Sequence, residues 1–506
     1  MPYPIASNLK AKGDYSAIVY KEGDLVIAED NEGKVIAKGE AGVDDASVIQ
    51  SAIDNISAVG GGKIFVSRSE YLVDSTLNAR SNIQLISEGA VLKKSSNIVL
   101  LKIVDVEDFR IEGFVLDGNK IDGNHIVYCE NANRVKIIGN AFKNPPNDGF
   151  MLTFQVVPSY YCEIIGNYFD GSGVTGYDAF AGVPKRSIIA FNYIKDSPWS
   201  GITAGVMEDI VIAGNIIDNP KATGISIDSG VAHTYRVVIV ANIIRNAGHG
   251  GINLGWSKNY HVYDAVVANN VILNPAKSGI TAFYGRNIQI VSNRVENAGN
   301  DGISIRGFDN IAISDNVVIN PNNNNNSEYR IADGIVVFAD ELTGYPDDRT
   351  HFIVKGNIVK DERDTSQMLL GISLHFDTNV PSYLRKGLVI DNVIEGSKEE
   401  AIAMVNEAYQ TKGWKFADYN ITVKNNYGFI TENSGTATFS GDGSTTQFSI
   451  AHGLVSTPSK VQVTPMTEDA SGDFYVTADD TYIYINYKTA PPSGTDNVKV
   501  SWHAEV

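Results

Sequence analysis

The sequence predicts an all-β protein: a right-handed parallel β-helix (solenoid) with an N-terminal capping helix and a small C-terminal β-sandwich-like domain. Two observations predict the solenoid. An apolar–apolar–x–Asn–x–apolar phrase recurs ten times, mostly at steps of 23 to 28 residues, and a Gly stands nine residues after six of these asparagines. Two short strands at a fixed separation in every period describe one coil of a β-helix, in which each strand pairs with its equivalent in the next coil about 4.8 Å away.

The asparagines of the repeat have a structural role in this fold. An Asn fits the left-handed bend between two strands, and its side-chain amide is able to hydrogen-bond to the Asn of the coils on either side. We therefore expect a continuous ladder. Its members are Asn140, Asn167, Asn192, Asn215, Asn242, Asn270, Asn293, Asn316, Asn357 and Asn392.

Three segments are predicted along the chain. Residues 1–40 form a small β-hairpin module with two strands around Glu32–Gly33. Residues 41–430 form the β-helix, and residues 44–57, with apolar side chains at helical spacing and three glycines after them, form a helix that covers its first coil. A Gly/Ser/Thr-rich passage then leads into a C-terminal β-domain at 434–506, in which Tyr482, Tyr484, Tyr487 and Trp502 are candidates for a sugar-binding platform or a packed face.

The charge excludes one class of partner. The formal net charge is −18, which repels nucleic-acid phosphates, and an acidic glycan would require a local basic patch. We expect no membrane insertion, because no stretch is apolar enough to span a bilayer, and the first twenty residues lack the apolar run of a signal peptide. Cys129 and Cys162 are expected to be buried free thiols.

The phrases DDASVIQSAIDNIS and GGGKIFVSRSEYLV, together with the Asn and Gly–Ile phrases after them, resemble the opening of pectate-lyase-like β-helix proteins. That family includes polygalacturonases, phage tailspikes and mannuronan C5-epimerases. The resemblance covers residues from about 40 to 430. It implies a polysaccharide substrate, an extracellular or virion-associated location, and a monomer, or a homotrimer if the protein is tailspike-like. It requires no cofactor, although Ca²⁺ serves several polysaccharide lyases of this fold.

The candidate site is predicted from the alternation of inward and outward side chains along each strand. The residues two and four positions after each Gly should point outward and stack coil upon coil into one surface. Around Asp228 the neighbouring loops add a local basic and aromatic patch. The predicted catalytic residues are Asp228, His233, Tyr235 and Arg236. The predicted substrate-binding residues are Asp178, Lys185, Arg186, His249, Asn253, Trp256, Tyr284, Arg286 and Arg306.

These residue types suit an acidic polysaccharide such as an alginate- or pectin-like polyuronate. Removing the proton at C5 requires a cation on the carboxylate, a base and an acid, and the outcome is a lyase or a C5-epimerase. The resemblance to mannuronan C5-epimerases is incomplete, because Asp228 and His233 are five residues apart and no DPHE phrase exists. The alternatives are a polygalacturonase-type hydrolase, with Asp148, Asp178, Asp228 and Asp301 as possible acids, and a tailspike-like glycan-binding depolymerase.

Overall fold

The computed structural model describes residues 14–121, 125–145, 151–154, 157–171, 180–182, 184–205, 207–227, 232–325, 332–339, 350–376, 384–406 and 416–506. The predicted right-handed parallel β-helix is confirmed, but each coil contributes three strands and not two. We name the three walls the front wall, formed by the Gly–Ile strands, the side wall, formed by the strands before each ladder Asn, and the back wall, formed by the strands after it. The extra strand arises because the apolar residues after each Asn also pair between coils.

The front and side walls are joined in one sheet. The front-wall strands are Leu77–Asn78, Leu101–Val104, Val127–Glu130, Leu152–Phe154, Phe180–Gly182, Ile202–Ala204, Ile225–Ile227, Ile252–Leu254, Ile335–Ala339, Ile372–Phe376 and Ile402–Asn406. The side-wall strands are Gly62–Val66, Ile83–Ser87, Arg110–Glu112, Lys136–Ile138, Glu163–Ile165, Ile188–Ala190, Glu208–Ala213, Thr234–Val240, Val262–Ala268, Thr350–Lys355, Leu384–Ile390 and Ile421–Lys424. Two strands, Ile280–Val291 and Ile303–Ser314, run through both walls without a break.

The back wall is a separate parallel sheet of 13 strands. Its strands are Glu70–Val73, Val91–Lys94, Val115–Asp117, Ala141–Lys143, Tyr168–Asp170, Tyr193–Lys195, Ile216–Asp218, Ile243–Arg245, Val271–Leu273, Arg294–Glu296, Val317–Ile319, Ile358–Lys360 and Val393–Glu395. Inward side chains of all three walls fill one continuous hydrophobic core. Each Gly before a front-wall strand is required by close packing: a Cβ on Gly224 would lie 2.5 Å from Ile244 Cγ2 and 2.7 Å from the carbonyl oxygen of Gly251.

The asparagine ladder is present and buried. Asn242 illustrates it: its Oδ1 accepts hydrogen bonds from the backbone N–H and the Nδ2 of Asn215, and its Nδ2 donates to Ile212 O and to Asn270 Oδ1, all at 2.9 to 3.0 Å. The ladder continues past the ten predicted members to Asn426. The left-handed bend lies one residue earlier than predicted, as at Ala241 with φ 56°, so each ladder Asn holds the bend through its side chain.

The N-terminal end has three antiparallel strands, Ala17–Glu22, Leu25–Asp30 and Val35–Glu40, where two were predicted. The first also pairs in parallel with Gly62–Val66, so this unit continues the side wall. The capping helix is confirmed at Asp45–Ala58. Both aspartates at its start hold it in place: Asp45 Oδ2 accepts from the backbone N–H of Leu72 and from Lys21 Nζ, and Asp44 Oδ2 accepts from the backbone N–H of Glu40.

The C-terminal part has a hydrophobic cluster of its own. A short 3-10 helix, Phe416–Tyr419, precedes it, and its strands are Glu432–Gly441, Gln447–Ala451, Lys460–Pro465, Phe474–Ala478, Tyr482–Tyr487 and Gly494–Glu505. They form two three-stranded antiparallel sheets. Tyr487 and Trp502 are buried, so they belong to the packed face and not to a sugar platform. Tyr482 and Tyr484 stay on the outer face.

Two further expectations concern thiols and membranes. Cys129 and Cys162 are buried free cysteines, and burial raises the pKa of Cys162 to about 12. Both thiols are therefore uncharged and take part in packing. Across the described ranges, no helix is both long and apolar enough to cross a lipid bilayer.

Candidate functional site

The outer face of the front wall carries two rows of stacked side chains. One row runs through Ser226, Asn253, Thr281 and Ser304, which are register partners in consecutive coils. The second row runs through Phe283, Arg306, Phe338 and His375. The stacking that the repeat predicts is therefore observed. Towards the C-terminal coils the rows are covered, since Phe338, Ser373 and His375 are buried.

A groove of about 400 Å³ lies on these rows. Four of the predicted substrate-binding residues line it: His249, Asn253, Trp256 and Arg306. Four other lining residues, Thr281, Phe283, Ser304 and Phe338, occupy the outward positions that the repeat predicts, and Asp301 was a possible acid. Lys277 and Asn300 also line the groove and were not predicted. Lys277, Asn300 and Asp301 belong to the turns that enter the front-wall strands, and the outward-position rule does not include those turns.

The groove combines aromatic, polar and cationic groups. Trp256 is 69% exposed and stands edge-on to Phe283, with 6.3 Å between the ring centroids. The guanidinium of Arg306 lies 4.7 Å from the ring centroid of Phe338. On the floor, Thr281 Oγ1 donates to Asn253 Oδ1 at 2.7 Å. Aromatic faces, amides and hydroxyls are the groups that hold sugar rings, and Arg306 and Lys277 add positive charge.

A cluster of histidine and tyrosine rings occupies the start of the side wall in two adjacent coils. His233 lies 5.4 to 6.2 Å, between ring centroids, from Tyr235, Tyr260, His261 and Tyr263. Tyr235 stacks on Tyr263 at 5.1 Å. The loop from Trp256 to His261 connects this cluster to the groove, because Trp256 lines the groove and His261 belongs to the cluster.

Hydrogen bonds define the protonation of both histidines. The backbone N–H of His261 donates to His233 Nδ1 at 2.9 Å, so in the neutral His233 ring the proton sits on Nε2. His261 Nε2 lies 2.9 Å from the carbonyl oxygen of Lys258, which only accepts, so this nitrogen carries a proton. Burial lowers the pKa of His261 below its ordinary value, which keeps the ring neutral. Its Nδ1 therefore accepts from the Tyr263 hydroxyl at 3.2 Å.

This geometry changes the roles that the sequence predicted. His233 is a hydrogen-bond donor through Nε2, because its Nδ1 lone pair is occupied. The dyad of Tyr263 and His261, neither of which was a predicted catalytic residue, has the arrangement of a base: the phenol hydroxyl points its proton at an imidazole nitrogen. The sequence signal for this dyad is the phrase Tyr260–His261–Val262–Tyr263, in which the rings of His261 and Tyr263 are two residues apart.

Several predicted cations are already neutralised. Arg236 bonds to Asp209 and Glu208, Arg186 to the Tyr161 hydroxyl, Lys185 lies 3.6 Å from Glu208, and Arg286 bonds to Asp309 at 2.6 Å. They form an exposed ladder of charges along the edge of the side wall. Arg236 belongs to this ladder, and its catalytic role stays a prediction. The sequence did not reveal the ladder, because the partners come from neighbouring coils.

Tyr284, predicted to bind substrate, is buried and packs over Gly307 of the next coil. The ring is therefore enclosed by the protein, and substrate binding by Tyr284 stays a prediction. Asp178 and Asp228, and also Asp148, lie outside the described residues. Tyr235 is 36% exposed at the rim of the ring cluster.

Two buried carboxyl groups lie beneath the groove. Asp301 lines it, and its Oδ1 accepts from the backbone N–H of Asp333 at 3.1 Å. Asp333 accepts in turn from the Ser373 hydroxyl at 2.6 Å, and Ser373 Oγ lies 3.0 Å from His375 Nε2. Burial raises the pKa of Asp301 well above its ordinary value, and the nearby charge of Asp333 adds to the effect. Burial likewise raises the pKa of Asp333.

The raised pKa of Asp301 makes stability depend on pH with a definite sign. The folded state holds this proton more tightly than the unfolded state, so the stability that it contributes is present in acid and decreases as pH rises above the ordinary carboxyl pKa. Asp301→Asn is expected to raise the free energy of unfolding at pH 7 by about 1 to 3 kcal/mol and to have little effect at pH 4. Urea unfolding at both pH values measures this.

Asp108 is the control, because its hydrogen bond from Arg134 lowers its pKa. Asp108→Asn should give no gain at pH 7. A gain from Asp301→Asn of equal size at both pH values would contradict the expectation.

Potential metal ligands gather away from the groove. Glu432, His503 and Glu505 place ligand atoms within 4.8 Å of one another in the C-terminal part. Lys424 pairs with Glu432 at 2.7 Å and Lys460 with Glu505 at 3.0 Å, so both carboxylates already have cationic partners. A second depression, of about 540 Å³, lies on the front wall at the first coils, where Arg80, Lys102, His125, Tyr128 and Glu130 line it. None of these five residues was predicted to belong to a site.

The fold and its groove define the class: the chain is a right-handed parallel β-helix protein. The family model described as "Right handed beta helix region" matches residues 125–270 and, in an overlapping match, residues 192–338. The resemblance to pectate-lyase-like β-helix proteins is thereby confirmed at the level of the fold. A search of curated proteins finds no significant match.

Solved structures show the same fold at low identity. The tailspike protein of Escherichia coli bacteriophage HK620, solved as a mutant in complex with a pentasaccharide, is 14% identical with a TM-score of 0.57, and the match covers 94% of this chain and 92% of the tailspike chain. PfbA, a surface adhesin of Streptococcus pneumoniae, is 14% identical with a TM-score of 0.50, covering 73% and 92%. The A-module of the Azotobacter vinelandii mannuronan C-5 epimerase AlgE6 is 16% identical with a TM-score of 0.49, covering 76% and 96%.

Proposed function

We propose that this protein is a polysaccharide lyase that binds an acidic glycan along the front-wall groove and removes the proton at C5 of a uronate unit. The observation that carries the proposal is the presence of two features in the same coils: a groove with aromatic walls, a polar floor and cations, and a ring cluster with an oriented hydrogen-bond donor and an oriented base. The loop 256–261 joins them. A protein of the same fold, the HK620 tailspike, was solved with a pentasaccharide.

The local charge favours an anionic ligand. The chain as a whole carries a net charge of −18, which repels polyanions. In the groove, Arg306 and Lys277 contribute positively charged side chains, and Lys258 stands on the connecting loop with its Nζ 5.9 Å from the ring centroid of Tyr284. A cation beside the uronate carboxylate is what makes the C5 proton acidic enough to remove, because it stabilises the charge that develops there.

The chemistry uses three side chains. Tyr263 Oη takes the C5 proton while its own proton moves to His261 Nδ1, and the electron pair of the broken C5–H bond is delocalised into the carboxylate that a cation holds. The pair then forms the C4–C5 double bond as the C4–O4 bond breaks. The leaving oxygen O4 takes the proton that Tyr263 Oη received, His261 Nδ1 returns its proton to Tyr263, and His233 Nε2–H donates a hydrogen bond to O4. Atoms and charges balance, since the C5 proton ends on O4 and each side chain returns to the protonation state in which it began.

The choice of lyase over epimerase follows from where the acid and the base lie. His233 and Tyr263 belong to one cluster, with 5.4 Å between their ring centroids, so both act on the same side of the sugar. Elimination in which the base and the acid act from the same side of the sugar ring is consistent with this placement of His233 and Tyr263. Epimerisation would require a proton donor on the opposite face, and this cluster does not supply one.

A panel of polyuronates and neutral glycans tests the proposal. We expect absorbance from unsaturated sugar ends on at least one polyuronate, no reaction on neutral glycans, and an affinity loss of at least about tenfold for Trp256→Ala through lost ring stacking. Trp199→Ala, which removes another exposed tryptophan, is the matched control. Proton NMR showing changed C5 configuration without cleavage would replace lyase by epimerase. The absence of any reaction on every polyuronate would refute the proposal.

Hydrolysis is the second candidate, and Asp301 is the observation that favours it. This carboxyl lines the groove and is held protonated by burial, as a general acid in a glycosidase must be. New reducing ends without unsaturation, lost on Asp301→Asn, would establish this activity in place of elimination.

A further inference from the structure

One sheet of the C-terminal part carries exposed tyrosines on an uncharged outer face. In its strands, Gln447–Ala451, Phe474–Ala478 and Tyr482–Tyr487, more exposed side chains alternate with less exposed ones, which pack into the C-terminal hydrophobic cluster. We name the outward set the tyrosine face, and its members are Gln447, Ser449, Ala451, Tyr475, Thr477, Tyr482, Tyr484 and Asn486. Tyr475 is 60% exposed and Tyr482 is 41% exposed, so both rings are open to solvent.

The second C-terminal sheet has an outer face of a different kind. Its strands turn lysine and glutamate side chains outward, as at Lys460, Lys499 and Glu505. Its one tryptophan, Trp502, points inward and is buried. A solvated sheet face requires only polar side chains. The exposed rings are therefore a particular feature of the tyrosine face and not a general feature of this part of the chain.

The three tyrosines are neighbours across the sheet. Tyr482 and Tyr484 are two residues apart on the middle strand, with 6.1 Å between their ring centroids. Tyr475, on the adjacent strand, is the diagonal neighbour of Tyr484, a relation that spans about 7 to 8 Å. On the other side, the cross-strand partners of Tyr484 and Tyr482 are Ser449 and Ala451, which are too small to cover a ring. The face therefore offers a run of rings long enough for a short oligosaccharide.

Neutral hydrogen-bonding groups lie beside these rings. Gln447 Nε2 donates to Asn486 Oδ1 at 2.8 Å, and Asn486 Nδ2 donates to Thr477 Oγ1 at 3.3 Å. Amides and hydroxyls have more than one donor or acceptor each, so these groups hold one another in place and still match the hydroxyls of a ligand. The Tyr484 hydroxyl donates to Asp479 Oδ2 at 2.7 Å, which fixes the position of the middle ring.

We infer that the tyrosine face binds a neutral glycan. The apolar faces of sugar rings stack on tyrosine rings, and sugar hydroxyls bond to amides and hydroxyls. Charge selects the neutral class, because no residue of the face is a lysine or an arginine and Asp479 at its edge repels an anion. Protein interfaces also use tyrosine, but together with Phe, Met and Arg, which this face lacks. The inference goes beyond the proposed function, since the ligand differs in charge from the acidic glycan of the groove.

Affinity electrophoresis of the full chain, in gels that contain one polysaccharide each, tests the inference. The neutral probes are a glucan, a mannan, a xylan and a galactan, and polygalacturonate and alginate are the acidic ones. At least one neutral polysaccharide should retard the wild-type protein. Tyr475→Ala and Tyr482→Ala should each weaken that binding at least about tenfold through lost ring stacking, whereas Tyr475→Phe, which keeps a ring, should bind within a few-fold of the wild type.

Tyr427→Ala is the matched control, because Tyr427 is a 64% exposed tyrosine outside the tyrosine face, and it should bind like the wild type. Thermal unfolding of every variant establishes that the C-terminal part is folded. Retardation by no neutral polysaccharide, or equal weakening by Tyr427→Ala, would overturn the inference. An oligomer that Tyr475→Ala dissociates, without any glycan binding, would overturn it in favour of a protein partner. Polyuronate turnover does not enter this test, so its failure is distinguishable from that of the proposed function.

Discussion

Tyr263→Phe is expected to lower turnover of the polyuronate by about 10² to 10⁴-fold, the range that a positioned acid–base group contributes. The phenylalanine keeps the ring that stacks on Tyr235 at 5.1 Å, so packing is preserved while the oxygen that receives the C5 proton is lost. The affinity for the glycan should stay within a few-fold, since the groove is unchanged. Initial rates from absorbance of unsaturated ends, with binding by calorimetry, separate the two quantities.

A matched control is available on the back wall. Tyr193 stacks on Tyr168 at 5.6 Å and its hydroxyl donates to Asp218, so it is, like Tyr263, a stacked tyrosine with a hydrogen-bonded hydroxyl, but it does not line the front-wall groove. Tyr193→Phe should leave turnover unchanged. If Tyr263→Phe retains full activity while His233→Ala removes it, the base is another group and the dyad with His261 is structural.

Asn242→Ala is expected to destabilise the β-helix by about 3 to 5 kcal/mol, the largest stability effect among these predictions. The change removes the acceptor of two Asn215 donors and the donor to Ile212 O, in a site without solvent access. Each buried group that loses its partner costs about 1 to 3 kcal/mol. The shift of the urea midpoint, followed by circular dichroism, measures the loss.

The control uses the second, exposed asparagine ladder. Asn246 Nδ2 donates to Asn219 Oδ1 at 2.9 Å on the surface, and Asn246 adopts φ 53°, a conformation that glycine tolerates. Asn246→Gly should cost less than about 1 kcal/mol, because water replaces the lost bonds. Similar costs for Asn242→Ala and Asn246→Gly would mean that burial is not what makes the inner ladder stabilising.

Features that depend on spacing along the chain were predicted from the sequence, whereas several features that depend on contacts between coils were not. The inner ladder, the glycines before the front-wall strands and the capping helix were predicted because each depends on spacing along the chain. The third strand of each coil was missed, since three residues such as Ile243–Arg245 are too few to show an alternation. The bend at Ala241 was assigned one residue late, because the side chain that holds a bend need not belong to the bent residue.

The candidate site was predicted in part. His249, Asn253, Trp256 and Arg306 were placed on one surface correctly, because the period of the repeat brings them to one wall. Lys277 and Asn300, in the turns, were missed. The ion pairs of Arg236 and the packing of Tyr284 over Gly307 were not predicted, because the partners belong to neighbouring coils.

By itself, the sequence determined that the chain winds into coils, which residues repeat on each wall and how the asparagines are stacked. These features depend on periodicity and on short-range conformation. Only the tertiary structure decided which cations have carboxylate partners and which nitrogen of His233 and His261 carries the proton. Those properties depend on burial and on contacts between coils, where a side chain meets partners some 23 to 42 residues away.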